Sequence, residues 1–148
     1  MNGSVVIDAS TLVSWIVSDD ANHAASHLWM KRYRATGGLL VAPAFAMIEV
    51  AAAIARQTRQ AALAKAAIKG LYSIHTLRIV PLDSMLVNSA VDIASDLQLR
   101  AGDATYVAVA YNLKIPLVSW DNEQQQRGGN LITTYTPSSY PFELAEQQ

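Results

Sequence analysis

Four carboxylates stand where short apolar runs end, or inside an apolar run that would not readily tolerate a charge. Asp8 and Asp121 each close a short apolar run, Asp103 opens one, and Glu49 is the sole charge within residues 39–55. Carboxylates this close to a core are rarely fully buried unless they are paired or bound to a metal. If the four converge, their mutual repulsion requires a hard divalent cation, and the fold must bring distant segments together.

The apolar runs alternate with helical patterns along the chain. The predicted strands are residues 4–7, 39–42, 76–80, 116–119 and 131–134. The predicted helices are residues 10–17, 24–35, 45–58, 61–71, 83–97 and 103–113. Continuous apolar strands separated by helices indicate a parallel sheet that is covered on both faces. We therefore predict an α/β fold, a three-layer α/β/α sandwich with a small parallel sheet. It forms a single domain over residues 1–148, with a polar, loosely held tail from about residue 137.

Composition narrows the class of protein. Hydrophobic residues make up 51% of the 148 and charged residues 16%, which allows one compact core and argues against disorder. The net charge of −1 excludes a generally basic nucleic-acid binder. Once the four carboxylates are set aside, however, bases outnumber acids, so the remaining surface could hold a polyanion.

The chain is expected to be cytoplasmic and free of the membrane. It has no cysteine, which fits a reducing compartment, and no signal peptide is apparent at its start. The longest apolar segment, residues 39–55, contains Pro43 and Glu49 and is predicted to be a buried strand followed by a core helix.

Sites in open α/β sheets gather at the carboxyl ends of the strands. Asp8 and Asp121 lie at such ends, Asp103 lies at a predicted helix N-terminus, and Glu49 lies one turn into the helix after the second strand. Oxygen ligands select hard cations such as Mg²⁺ or Mn²⁺. A carboxylate-held ion of this kind predicts metal-assisted hydrolysis of phosphodiesters.

Each acid also has a purely structural interpretation. The three aspartates could cap helices, and Asp121 with Gln124 resembles a capping box. Glu49 could instead form a salt bridge with Arg56.

The basic residues and the tryptophans carry less specific signals. Residues 31–34 and 56–69 contain basic clusters that could contact RNA phosphates or simply be solvated helix faces. Trp15, Trp29 and Trp120 are expected to pack in the core or at a dimer contact rather than stack on bases.

The ordered set of acidic motifs resembles the PIN-domain nucleases. Residues 5–13 resemble the apolar strand and Asp-x-Ser that open that family, and Glu49 resembles its second acidic position. Residues 102–110 resemble the Asp-Ala helix that carries the third. Residues 117–121 resemble the Thr-x-Asp segment, with Ser119 in place of the usual Thr. The length resembles that of the VapC-type toxins of toxin–antitoxin pairs.

The resemblance implies a Mg²⁺- or Mn²⁺-dependent endoribonuclease of PIN-like, Rossmann-like architecture. Its implied metal ligands are Asp8 and Asp103, completed by Glu49 and Asp121. The resemblance also implies that the hydroxyls of Ser10 and Ser119 orient the carboxylates or a metal-bound water. It further implies an RNA substrate, a homodimer and a cognate antitoxin protein.

Two other functions remain open at this stage. One is a non-catalytic PIN-like module that binds RNA or protein. The other is a different carboxylate-metal enzyme, such as a phosphatase acting on small molecules.

Overall fold

A five-stranded, entirely parallel sheet lies at the centre of the protein. The structure is a computed structural model that describes residues 3–142. Its strands are β1 (Ser4–Ile7), β2 (Leu39–Pro43), β3 (Leu77–Val80), β4 (Leu117–Val118) and β5 (Thr134–Tyr135). They are arranged in the order β3-β2-β1-β4-β5.

Helices cover both faces of this sheet. They are α1 (Ala9–Ile16), α2 (His23–Ala35), α3 (Phe45–Thr58), α4 (Ala61–Tyr72), α5 (Ser84–Leu97), α6 (Ala101–Leu113) and α7 (Asn122–Gly128). Right-handed crossovers place α1 to α4 on one face and α5 to α7 on the other. The contacts agree, because α1 packs on α2 and α3, whereas α6 packs on α5 and α7. The predicted three-layer α/β/α sandwich is confirmed.

The connections reverse direction on either side of β1. This strand pairs with β2 on one side and with β4 on the other, where Ile7 lies opposite Val118. Such a reversal opens a crevice at the carboxyl ends of the two strands, which is the usual ligand site in open α/β sheets. Asp8 and Ser119 follow directly after these two strand ends.

The helix α6 has more buried residues than any other helix within residues 3–142. Residues 104–110 are all buried, and the helix crosses β1, β2 and β4. Its alanines let the helix approach closely, because small side chains bring the backbone near the sheet. Deep packing therefore fixes the position of the α6 N-terminus, where Asp103 lies.

Most predicted elements are found within two residues of their expected bounds, and the differences cluster near the end of the chain. The helix α7 was not predicted, because Asn122–Gly128 is polar and has no apolar periodicity. The last strand is Thr134–Tyr135 rather than residues 131–134, because the amides of Leu131 and Ile132 both donate to the carbonyl of Gly128 and close α7 with a turn.

The segment 39–55 forms β2 and most of α3, as expected. Among residues 3–142, no helix combines the length and the apolar character that crossing a membrane would require.

The prediction of a loosely held tail is wrong for the residues up to Phe142. The Phe142 ring is only 7% exposed and lies 4.2 Å from the guanidinium carbon of Arg32. The Tyr140 ring lies 5.8 Å from the rings of both Trp29 and Tyr33 on α2. Tyr140 and Phe142 stand on either side of Pro141 and after two serines, so no periodic pattern predicted their packing. The rest of the predicted tail, residues 143–148, lies outside the described residues.

The aromatic contacts predict that this segment stabilises the domain. Phe142→Ala should lower the free energy of unfolding by about 3 kcal/mol, because a nearly buried ring and its contact with α2 are lost. Urea denaturation followed by circular dichroism measures the change. Tyr111→Ala is the matched control, because Tyr111 is 52% exposed, and it should change stability by about 0.5 kcal/mol or less. Equal effects of the two substitutions would show that the Phe142 contacts are energetically unimportant.

Candidate active site

Asp8 is a buried carboxylate at the end of the central strand β1. Only 3% of it is exposed. Its Oδ1 accepts hydrogen bonds from Ser10 Oγ at 2.7 Å, from the Thr11 amide at 3.1 Å and from Thr11 Oγ1 at 3.2 Å. Its Oδ2 accepts from Ser119 Oγ at 2.7 Å, across the crevice between β1 and β4. These donors replace water around a charge that would otherwise be too costly to bury.

The two serines are themselves oriented by backbone amides. Ser10 Oγ accepts from the Trp120 amide at 3.1 Å, and Ser119 Oγ accepts from the Asp121 amide at 2.9 Å. Each hydroxyl therefore has its hydrogen directed at Asp8. The structure brings both sequence-predicted serines to the carboxylate they were expected to orient.

Asp103 lies near Asp8 but belongs to α6, which covers the other face of the sheet from α1. It occupies the first turn of α6, where the helix dipole favours a negative charge. The buried side chain of Gln124 lies between the two acids. With its amide nitrogen toward them, Gln124 donates to Asp8 Oδ2 at 3.2 Å and to Asp103 Oδ1 at 3.3 Å. A single amide nitrogen thus lies between two of the predicted ligands.

Sequence reasoning missed Thr11 and Tyr106, which donate to Asp8 and Glu49, and above all Gln124. Its position after Asp121 suggested a capping box, and its backbone amide does donate to Asp121 Oδ1 at 2.7 Å. Its side chain does not reach back to the Asp121 amide, which donates to Ser119 instead. Complete burial of a Gln among polar residues is the signal, and it is visible only in the folded chain.

Glu49 reaches the same site from α3. Its Oε1 accepts from the Tyr106 hydroxyl of α6 at 2.8 Å. A Cβ added at Gly102 would lie 3.2 and 3.3 Å from the two Glu49 oxygens, so the carboxylate lies against the α6 N-terminus. The alternative salt bridge with Arg56 does not form. The one ion pair within residues 3–142 joins Glu123 to Arg127.

The capping interpretation holds for two of the three aspartates. Asp8 caps α1 and Asp121 caps α7, each through its side chain. Asp103 is not a cap, because α6 begins two residues before it, at Ala101. Capping and membership of the site are therefore compatible, because a side chain that caps a helix at the sheet edge also faces the crevice.

The four acids act on one another electrostatically. Burial raises the pKa of Asp8 above its ordinary value, although hydrogen bonds from Ser119, Ser10 and Thr11 oppose the shift. Burial also raises the pKa of Asp103 to about 6, and the negative charges of Asp121, Asp8 and Glu49 add to the rise. Arg100 opposes it only in part. The negative charges of the other three acids thus all act on Asp103.

Comparison with known proteins gives the family. The family model described as PIN domain matches residues 5–130. The chain belongs to the PIN domain family. A comparison with curated protein sequences finds no match.

Solved structures share the PIN fold of this chain at low sequence identity. Mycobacterium tuberculosis VapC20, described as a Sarcin-Ricin loop cleaving toxin, is 19% identical with a TM-score of 0.70, over 84% of this chain and 95% of its own. PAE2754 from Pyrobaculum aerophilum is 22% identical with a TM-score of 0.68, over 99% and 100%. A toxin–antitoxin complex from Klebsiella pneumoniae contains a chain that is 14% identical with a TM-score of 0.65, over 90% and 97%.

The donors of this PIN domain have the chemistry that hard cations select. All four predicted ligands offer carboxylate oxygens, the donor type that Mg²⁺ and Mn²⁺ prefer. Within the described part of the chain, no three acidic or histidine side chains lie together in a group that could hold a metal ion by itself. Mg²⁺ generally keeps several waters and takes only one or two carboxylates, so an open set of acids fits it.

The raised pKa of Asp103 predicts a pH-dependent stability in chelator. The unfolded chain protonates Asp103 near 3.8 and the folded chain near 6. The folded protein therefore binds more protons between these values, and its free energy of unfolding falls as the pH rises through that window and stays low above it. At pH 7.5, Asp103→Asn should raise stability by roughly 1 kcal/mol after allowance for solvent screening, and should flatten the pH dependence.

Urea denaturation at several pH values measures this effect. Asp96→Asn, the same change at an exposed position of α5, serves as the control and should shift stability by about 0.5 kcal/mol or less. If the Asp103→Asn protein is less stable than the parent at pH 7.5, the charge of Asp103 does not destabilise the folded protein.

The Gln124 side-chain amide between Asp8 and Asp103 predicts a loss of stability when it is removed. Gln124→Met keeps a similar volume but removes both donated hydrogen bonds. It should lower stability by about 2 kcal/mol, because the buried Asp8 and the half-buried Asp103 each lose a donor. Gln126→Met on the exposed side of α7 is the matched control, and it should be near neutral. If both variants unfold at the same urea concentration as the parent, the bridge contributes nothing.

Proposed function

We propose that this PIN domain is a Mg²⁺- or Mn²⁺-dependent endoribonuclease. The observation that carries the proposal is the meeting of acids from separate segments at one crevice. The Gln124 amide lies between Asp8 and Asp103, and Glu49 lies against the α6 N-terminus. Burial and the neighbouring negative charges raise the pKa of Asp103. A stable fold gains nothing from keeping such a repulsion. A site that binds divalent cations gains from this arrangement, because a bound cation offsets the negative charge of the carboxylates.

The residues take distinct roles in this proposal. Asp8 and Asp103 are the leading metal ligands, and Glu49 and Asp121 complete the site. A bound ion would polarise the scissile phosphodiester and lower the pKa of its attacking water. Ser10 and Ser119 hold the Asp8 carboxylate in one orientation, because each hydroxyl is fixed by a backbone amide.

Two of the other acids are also oriented by a hydrogen bond. The Tyr106 hydroxyl fixes Glu49, and helix α7 fixes Asp121 through its cap. Four carboxylates held by separate elements can keep their positions when substrate enters, so little reorganisation accompanies the reaction.

The proposal includes a biological context. VapC20 is described as a toxin, and the Klebsiella structure as a toxin–antitoxin complex. Their likeness to this chain is one of fold. It supports the further proposal that this chain is a cytoplasmic toxin component that forms a homodimer and is neutralised by a cognate antitoxin protein.

Cleavage of RNA by the purified protein tests the activity. Labelled single-stranded RNA should be cut internally in Mn²⁺ and left intact in chelator. Asp8→Asn should lower the rate by at least about a hundredfold, because it removes a charged ligand without changing the side-chain volume. Asp96→Asn should cut at the parental rate. Equal cutting by the Asp8→Asn protein would identify a contaminant.

A binding measurement separates this proposal from the two alternatives. Mn²⁺ at ten times its dissociation constant should stabilise the parent by about 1.4 kcal/mol, a rise of roughly 3 °C in melting temperature, and this rise should vanish in Asp8→Asn. A non-catalytic module would show no such rise. Rapid turnover of an aryl phosphate would favour a small-molecule phosphatase instead.

A further inference from the structure

A groove of about 360 Å³ opens beside the carboxylates and extends beyond the residues that the proposed chemistry needs. Two residues of the candidate site, Ser10 and Glu49, line the groove together with Trp120. Small side chains give the groove its depth: Ala9, Ala52 and Ala53. The groove therefore has room for a substrate group larger than a phosphate, adjacent to the site of cleavage.

The Trp120 ring is fixed in place at this groove. Its Nε1 donates to Ser26 Oγ on α2 at 2.7 Å, and Ser26 Oγ lies 2.6 Å from Ser14 Oγ on α1. Its backbone amide donates to Ser10 Oγ at 3.1 Å. The sequence led us to expect Trp120 in the core or at a dimer contact. Within the chain the residue is half-buried and lines the groove. A ring held this way loses little freedom when another ring stacks on it.

The polar lining of the groove suits an uncharged ligand with both donors and acceptors. Asn22 and Gln57 contribute side-chain amides that make no hydrogen bond with any residue between 3 and 142. Arg56 adds one positive charge, whereas Asp20 and Glu49 add two negative ones. A phosphate is disfavoured by this balance, but a nucleobase is neutral and presents both kinds of hydrogen-bonding edge.

We propose that this groove binds one nucleobase of single-stranded RNA, stacked on Trp120 next to the scissile phosphate. The inference rests on the proposed function for its substrate class and adds a subsite to it. Only an unpaired base can be splayed into such a groove, so the subsite selects single strands, loops and bulges. Stacking of one base on an aromatic side chain strengthens binding by roughly tenfold or more.

Photochemical cross-linking tests the subsite without any catalysis. An RNA heptamer that carries 5-iodouridine is irradiated with the full-length protein in chelator, and the cross-linked residue is mapped by mass spectrometry. The expected attachment is Trp120. Attachment instead to Trp15, which lines a separate cavity with Lys31 and Arg34, overturns the proposal, as does the absence of a cross-link at Trp120.

Matched variants give a second readout. In chelator, Trp120→Leu should weaken heptamer binding roughly tenfold, and Trp120→Phe should retain most of it, because the smaller ring still stacks. Trp15→Leu is the control for loss of a half-buried tryptophan, and it should bind like the parent. Equal binding by Trp120→Leu and the parent overturns the proposal. If Trp120→Leu fails to fold, the cross-link and the Trp120→Phe protein still decide the question.

The outcomes separate this inference from the nuclease proposal. Cross-linking at Trp120 without Mn²⁺-dependent cleavage would uphold the base subsite and refute the nuclease. Cleavage that requires Asp8, with a KM unchanged in Trp120→Leu and no cross-link there, would uphold the nuclease and refute the subsite. If the groove instead holds a segment of a protein partner, RNA should neither cross-link to Trp120 nor bind more weakly to Trp120→Leu. That result would also refute the base subsite.

Discussion

The solvation of one buried charge organises this protein. Asp8 stands at the end of the central strand, almost without access to water, and its pKa is raised by that burial. Keeping such a carboxylate in the fold requires donors from several segments. They come from α1, from the segment after β4 and from α7, so the hydrogen bonds of Asp8 tie together the two sides of the crevice. A change that disturbs any of these segments also disturbs the site.

The same side chains serve the fold and the site. Asp8 and Asp121 cap α1 and α7, and a cap lies by geometry at the sheet edge where the crevice opens. Asp121 Oδ1 accepts the capping hydrogen bond from the Gln124 amide. Asp8 Oδ1 accepts hydrogen bonds from three donors. Each carboxylate is thereby oriented by backbone before any ligand arrives. Pre-orientation of this kind is what a catalytic metal site requires from its surroundings.

The sequence predicted the parts of this structure that leave a local pattern. Apolar strands, alanine-rich helices and charges at the ends of apolar runs are all such patterns, and they indicated the sheet, the layers and the four acids. What could not be predicted depends on contacts between distant residues. Gln124 resembles any polar helix residue until the fold places it between Asp8 and Asp103. Phe142 and Tyr140 have no periodicity and acquire a role only when α2 presents Arg32 to the first and Trp29 and Tyr33 to the second.

Electrostatic strain and deep packing are linked in α6. Burial and the neighbouring acids raise the pKa of Asp103, and its backbone is held in place because residues 104–110 of the same helix are buried against the sheet. The apolar burial of that helix supplies the free energy that holds the charge in place, and Gly102 leaves the space that the Glu49 carboxylate occupies. The α6 N-terminus therefore cannot relax to separate the acids. In this fold the repulsion is relieved by proton uptake, or by a cation if one binds, rather than by movement of the backbone.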